Sequence, residues 1–95
     1  MAESADKIAS YIGLAQRAGA VLYGEDAIED KQKAVKVVLI DSEAPEKYTN
    51  RLKTKFDCLT IFQIEGLRKA LHRDNVNAIA ITNENLATAI TDILR

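Results

Sequence analysis

Several side chains in this sequence have the type and spacing to do chemistry. Lys47, Arg51, Lys53 and Lys55 follow one another with no acid between them. Arg51 and Lys55, four apart, share a face if the segment is helical, which makes a cationic stripe suited to a polyanion backbone. A solvated outer face explains the same stripe equally well. Asp41 closes the apolar run Val37-Val38-Leu39-Ile40, and a carboxylate at the end of a strand can attack a phosphoryl group, as in phospho-receiver domains. That chemistry needs a Mg²⁺ held by an acid pair, which Glu25 and Asp26 imitate, and a lysine after a later strand to neutralise the phosphoryl charge. No lysine follows Ala78 to Thr82, so the receiver reading stays minor. Arg17 and Arg73 are isolated cations, suited to phosphate contact or to an ordinary surface. Cys58 and His72 are the only residues of their kinds. One thiol cannot close an internal disulfide, and one histidine without partners cannot build a metal site. Both read as structural, Cys58 as a buried thiol ahead of Leu59 to Phe62. With no nucleophile-base pair, glycine-rich phosphate loop or metal cluster, the expectation is a protein that binds rather than catalyses and that needs no cofactor.

The elements that must position these residues follow from periodicity. Ile8, Tyr11, Ile12, Ala15 and Ala18 recur at helical spacing, predicting a helix from about Ala5 to Ala18, capped at Ser4 and ended by Gly19 in the left-handed conformation. Ala20 to Tyr23 is a brief apolar run between glycines, hence a short strand. Gly24 opens a second helix with Glu25 and Asp26 in its first turn, where the helix dipole favours acids. Val35 to Ile40, rich in β-branched residues, predicts a central strand covered on both faces. Pro45 suits the start of a third helix, along which Tyr48, Leu52 and Phe56 recur every four residues. Leu59 to Ile64 reads as a strand, and Leu67, Ala70 and Leu71 mark a short helix ending near His72. After the turn Arg73-Asp74-Asn75, Ala78 to Thr82 is a fourth strand. Asn83 then caps a last helix with Leu86, Ala89, Ile90, Ile93 and Leu94 on one face.

At 95 residues the chain suits one shared core, so residues 1–95 are expected to form a single domain. Alternating strands and helices predict an α/β fold, a three-layer α-β-α sandwich around a four-stranded mixed sheet, largely parallel with the first strand as an antiparallel edge. Ligand surfaces of such folds gather at loops beyond one end of the strands, here near Gly19 to Asp26, Asp41 to Pro45 and Arg73 to Asn77. No stretch approaches the roughly 20 apolar residues of a membrane span, and Met1 to Asp6 has no signal-peptide pattern. A cytoplasmic protein is expected. The formal net charge of -1 is low for a nucleic-acid binder, although a neutral domain can still present one basic face.

Ile12-Gly13-Leu14-Ala15-Gln16-Arg17-Ala18-Gly19 followed by Tyr23-Gly24-Glu25-Asp26 resembles the ribosomal protein L-seven-Ae family, in particular its small bacterial YlxQ-like branch. The branch pattern is roughly G-L-A-x-R-A-G-K-x-x-x-G-E-E/D. Ala20 stands in place of its lysine. Val37 to Ile40, Ala78 to Thr82 and Leu86 to Ile90 continue the likeness over nearly the full length, though the strand matches are weakly specific.

The resemblance implies an α-β-α sandwich that grips the sharply bent RNA element called a kink-turn. In such proteins a G-x-N-E-x-x-K-like segment opens the second helix: its side chains read bases while backbone amides face phosphate, a division that suits RNA recognition generally. In this chain Gly24 matches, Asp26 stands for the asparagine, Ala27 for the glutamate and Asp30 for the lysine. Asp26 can accept a hydrogen bond from a guanine edge, and Lys31 and Lys33 can offset Asp30. The implied RNA-binding residues are Arg17, Gly24, Glu25, Asp26, Lys31, Ser42, Arg73, Asn75 and Val76, with Val76 against an extruded base. The expected partner is structured RNA, ribosomal or ribosome-associated, bound by a monomer. The acids Glu25, Asp26, Glu29 and Asp30 motivate a rival, a relative that has lost RNA binding and recognises a protein.

Overall fold

In the computed structural model, which describes residues 2–95 and the side chains of residues 6–95, helix α1 (Ala2–Arg17) buries Ile8, Ile12 and Ala15 and ends at a glycine lock. Gly19 takes φ 68°. Its N–H donates to the Gln16 carbonyl (3.1 Å) and the Ala20 N–H to that of Ala15 (2.8 Å), the paired bonds that satisfy the last carbonyls of a helix. The helix starts earlier than periodicity suggests, so Ser4 lies inside its first turn; the Ser4 side chain is outside the described residues.

Strand β1 (Val21–Tyr23) leads through Gly24 into α2 (Glu25–Asp30), whose one fully buried side chain is Ile28. A 3-10 turn (Gln32–Ala34) delivers the chain to β2 (Val37–Asp41), buried at all five positions. Helix α3 (Glu46–Lys55) follows Pro45 and buries Leu52, with Phe56 buried at its C-terminal end. Strand β3 (Ile61–Ile64) and the five-residue α4 (Leu67–Leu71) come next, α4 ending at His72. Strand β4 (Ala78–Ile81) precedes α5 (Glu84–Leu94), and the Asn83 carboxamide caps α5 by accepting from the Leu86 N–H at 3.0 Å.

The sheet order is β1-β4-β2-β3. β2 and β3 are parallel, whereas β4 runs antiparallel to both of its neighbours, β1 and β2. The expected antiparallel edge at β1 is therefore present as a pairing, but the strand that opposes the other three is β4.

Side chains alternate between the faces of each strand and fill two cores. Val37, Leu39, Ile79 and Ile81 face α1, α4 and α5, together with Ile12, Leu67, Leu71 and Ile90. Val38, Ile40, Ala78 and Ala80 face α2 and α3, with Ile28, Leu52 and Phe56. In β4 the large residues all face the three-helix layer and the alanines the two-helix layer, leaving room for Phe56 and Leu52 to approach the sheet. These are the three layers of an α-β-α sandwich. Among the described residues no helix is long and apolar enough to cross a membrane.

Candidate functional site

The strand directions decide what comes together. β1, β2 and β3 end, and β4 begins, at the same edge of the sheet. There the Gly24 N–H donates to the Ala78 carbonyl (3.0 Å), the Asp41 N–H to that of Asn77 (2.8 Å) and the Ser42 N–H to that of Ile64 (2.8 Å). Three segments far apart in sequence, Gly24 to Asp26, Asp41 to Pro45 and Arg73 to Asn77, are thereby knitted into one surface. Gly24 holds φ 87° and ψ 167°, a region that is essentially reserved to glycine. No atom lies within 4 Å of where a Cβ would sit, so the requirement is for backbone conformation and leaves the turn open to a ligand.

The acids of α2 do not all face solvent unpaired. Arg51 donates from Nε and Nη2 to Glu25, the shortest contact being 2.8 Å, and Lys55 Nζ lies 3.1 Å from the second carboxylate oxygen. Lys55 also pairs with Glu29. The hydrogen bonds from Arg51 and then Lys55 hold the Glu25 carboxyl below its ordinary pKa, because they stabilise the charged form. Burial, followed by the charge of Glu25, pushes the Tyr48 hydroxyl pKa up. The cationic stripe on α3 is thus partly neutralised across the gap to α2. Among the described residues Asp26 and Asp30 form no ion pair.

Asp41 is 2% exposed. One of its carboxylate oxygens accepts from the Glu43 N–H (3.0 Å) and lies 3.9 Å from Arg68 Nε. Arg68 in turn donates to the Val76 carbonyl (3.1 Å) and to Asn77 Oδ1 (2.6 Å). One guanidinium therefore ties α4 to the 73–77 loop and to the turn after β2. Of the carboxylates named for phospho-receiver chemistry, Asp41 is covered and Glu25 is engaged by Arg51 and Lys55. Among the described residues no group of His, Cys, Asp and Glu could hold a metal.

Of the residues named from sequence, Gly24, Glu25, Asp26, Ser42, Arg73, Asn75 and Val76 lie along this edge. The Arg73 guanidinium stacks over the Tyr23 ring at 4.3 Å, and the Tyr23 hydroxyl accepts from Gln16 Nε2 at 3.1 Å. Asn75 is exposed, and Val76 is half-buried against the α1 side of the core. Two residues are not brought together with the others. Arg17 ends α1 just before the far end of β1. Lys31 follows the last residue of α2, at the opposite end of that helix from Gly24, so it does not stand beside Asp26.

Cys58 is corrected by the structure. It is exposed, because β3 begins only at Ile61 and the residues before it form a turn; Gln32 Nε2 lies 3.4 Å from its sulfur. His72 keeps a structural role, ending α4 with its N–H donated to the Lys69 carbonyl. Sequence reasoning did not find Arg68, the Tyr23–Arg73 stack or the pairing of Arg51 with Glu25. Each joins residues from different elements, and no periodicity within one segment signals it.

No family model and no curated relative matches the chain. A solved structure from Bacillus halodurans, described as a protein with unknown function, shares the fold with a TM-score of 0.83 at 20% identity. The match covers 93% of this chain and 96% of that one. Likeness at that identity speaks to the sandwich alone.

Proposed function

We propose that this chain is a non-catalytic RNA-binding protein, ribosomal or ribosome-associated and acting in the cytoplasm as a monomer, that recognises sharply bent RNA of the kink-turn kind. The observation that carries the reading is the meeting of the Gly24, Ser42 and 73–77 segments on one edge, held by backbone hydrogen bonds. In this reading Gly24 allows close approach of the RNA backbone and Asp26 accepts a hydrogen bond from a base edge. Arg73, set on Tyr23, meets a phosphate, while Ser42 and Asn75 offer polar contacts and Val76 supports a splayed base. Pairing of Glu25 and Glu29 with α3 cations lowers the repulsion that four α2 carboxylates would otherwise exert.

The test is an electrophoretic shift with a kink-turn oligonucleotide and a straight duplex over a series of salt concentrations. Preference for the bent RNA with a steep salt slope is expected. Gly24→Asp weakens binding about tenfold or more through added charge at the contact. It also strains the backbone by about 1–3 kcal/mol, so its folding is checked by circular dichroism. Asp26→Asn leaves the backbone unstrained and, by removing a charge and adding a donor, tightens binding. Equal affinity for bent and straight RNA overturns the proposal. Asp26 and Asp30, which form no ion pair among the described residues, favour a second reading, a protein-binding module, for which neither bend preference nor salt slope is expected.

A further inference from the structure

We propose that Glu25 and Arg51 act as one phosphate-contacting unit, in which the carboxylate positions the guanidinium and the guanidinium meets the RNA backbone. The inference rests on the RNA-binding reading above and adds to it a contact on α3, outside the three segments of the edge.

The geometry separates the two charges by depth. The Glu25 side chain is 17% exposed and that of Arg51 is 56% exposed, so a phosphate approaching from solvent meets the cation before the anion. Arg51 uses Nε and Nη2 on the carboxylate. A guanidinium has five N–H groups, and those on Nη1 point away from this fork. The Tyr48 ring lies 5.2 Å from the guanidinium carbon, a second constraint on the cation's orientation. Beside it runs a shallow groove of about 490 Å³ lined by Lys47, Asn50, Arg51, Thr54 and Lys55. All of these side chains can donate hydrogen bonds and none is a carboxylate. Arg51, which lines this groove, is tied through Glu25 to the start of α2 next to Gly24.

The depth ordering gives Glu25 an effect opposite to that of its charge. A bare carboxylate near phosphate repels it, and its removal should tighten binding. A carboxylate that fixes an arginine fork holds a cation in place against the loss of side-chain freedom, and its removal should weaken binding. Lys55, held by the same carboxylate and by Glu29, is the lesser member because an ammonium has no planar fork.

The experiment measures Kd for the kink-turn oligonucleotide, across salt, for wild type, Glu25→Gln, Arg51→Gln, Arg51→Lys and the double variant Glu25→Gln/Arg51→Gln, with thermal melts to verify folding. Loss of Arg51 should lower the magnitude of the salt slope by about 0.7–0.9, one phosphate contact. Glu25→Gln should weaken binding several-fold although it removes a negative charge. The double variant should bind within about twofold of Arg51→Gln, since coupled partners are not additive. Arg51→Lys should keep the slope without recovering the affinity. Tighter binding by Glu25→Gln, or additive effects, overturns the unit while leaving the bend preference of the wild type intact. If the wild type shows no bend preference, the RNA-binding reading itself falls, and this inference with it.

Discussion

Glu25 shows how one side chain couples the stability of the fold to its electrostatics. Its carboxyl is held below the ordinary value of 4.5 by Arg51 and Lys55. The stabilisation this gives is complete above the unfolded value and is lost as pH falls through the lower, folded one. Denaturation midpoints of the wild type should therefore drop more steeply below pH about 4.5 than those of Glu25→Gln. Near neutrality the variant should be less stable by under about 1 kcal/mol, the range of partly exposed ion pairs. Parallel slopes in acid would mean that the pair is too loosely held to matter. This coupling was not legible in the sequence. Glu25 and Arg51 are 26 positions apart, and the acids of one segment and the bases of another looked like separate surface features until the fold set them side by side.

At the scale of the element, the short helix α4 ends on a strained residue. His72 ends it at φ 58° and ψ 38°, a left-handed conformation that costs a residue with a Cβ about 1–2 kcal/mol. The side chain is exposed. His72→Gly should accordingly stabilise the protein by about 0.5–1 kcal/mol, less than the full relief because glycine loses more freedom on folding; urea midpoints measure it. A lower midpoint would show that the imidazole contributes more than its backbone strain costs. Most elements were legible, because Tyr48 and Leu52 on α3, Ile8, Ile12 and Ala15 on α1 and the Asn83 cap of α5 carry their own periodic or local signals. The direction of β4 was not. It depends on the pairing of β4 with β1 and β2, strands distant in sequence, which hydrophobic pattern does not report. Cys58 is exposed rather than buried because the apolar run begins at Leu59 but strand pairing starts only at Ile61.

For the molecule as a whole, two cores share one sheet, and β2 and β4 are the strands clad on both faces with neighbours on both sides. Hydrogen exchange should follow this arrangement, with the amides of Leu39 and Ile79 opening only on global unfolding and those of Val21 to Tyr23 on the edge exchanging sooner. Comparable protection of β1 and β2 would contradict it. The layered architecture was readable from alternation alone, whereas the edge where Gly24, Ser42 and Asn75 meet followed only once strand order and direction were known. That edge and the turn holding Cys58 lie at opposite ends of the sheet, and Cys58 is the chain's one cysteine. A maleimide dye would therefore attach at a single, defined spot at the end of the sheet away from the Gly24, Ser42 and Asn75 edge, so that changes in tumbling would report the binding of a large ligand there without altering those residues.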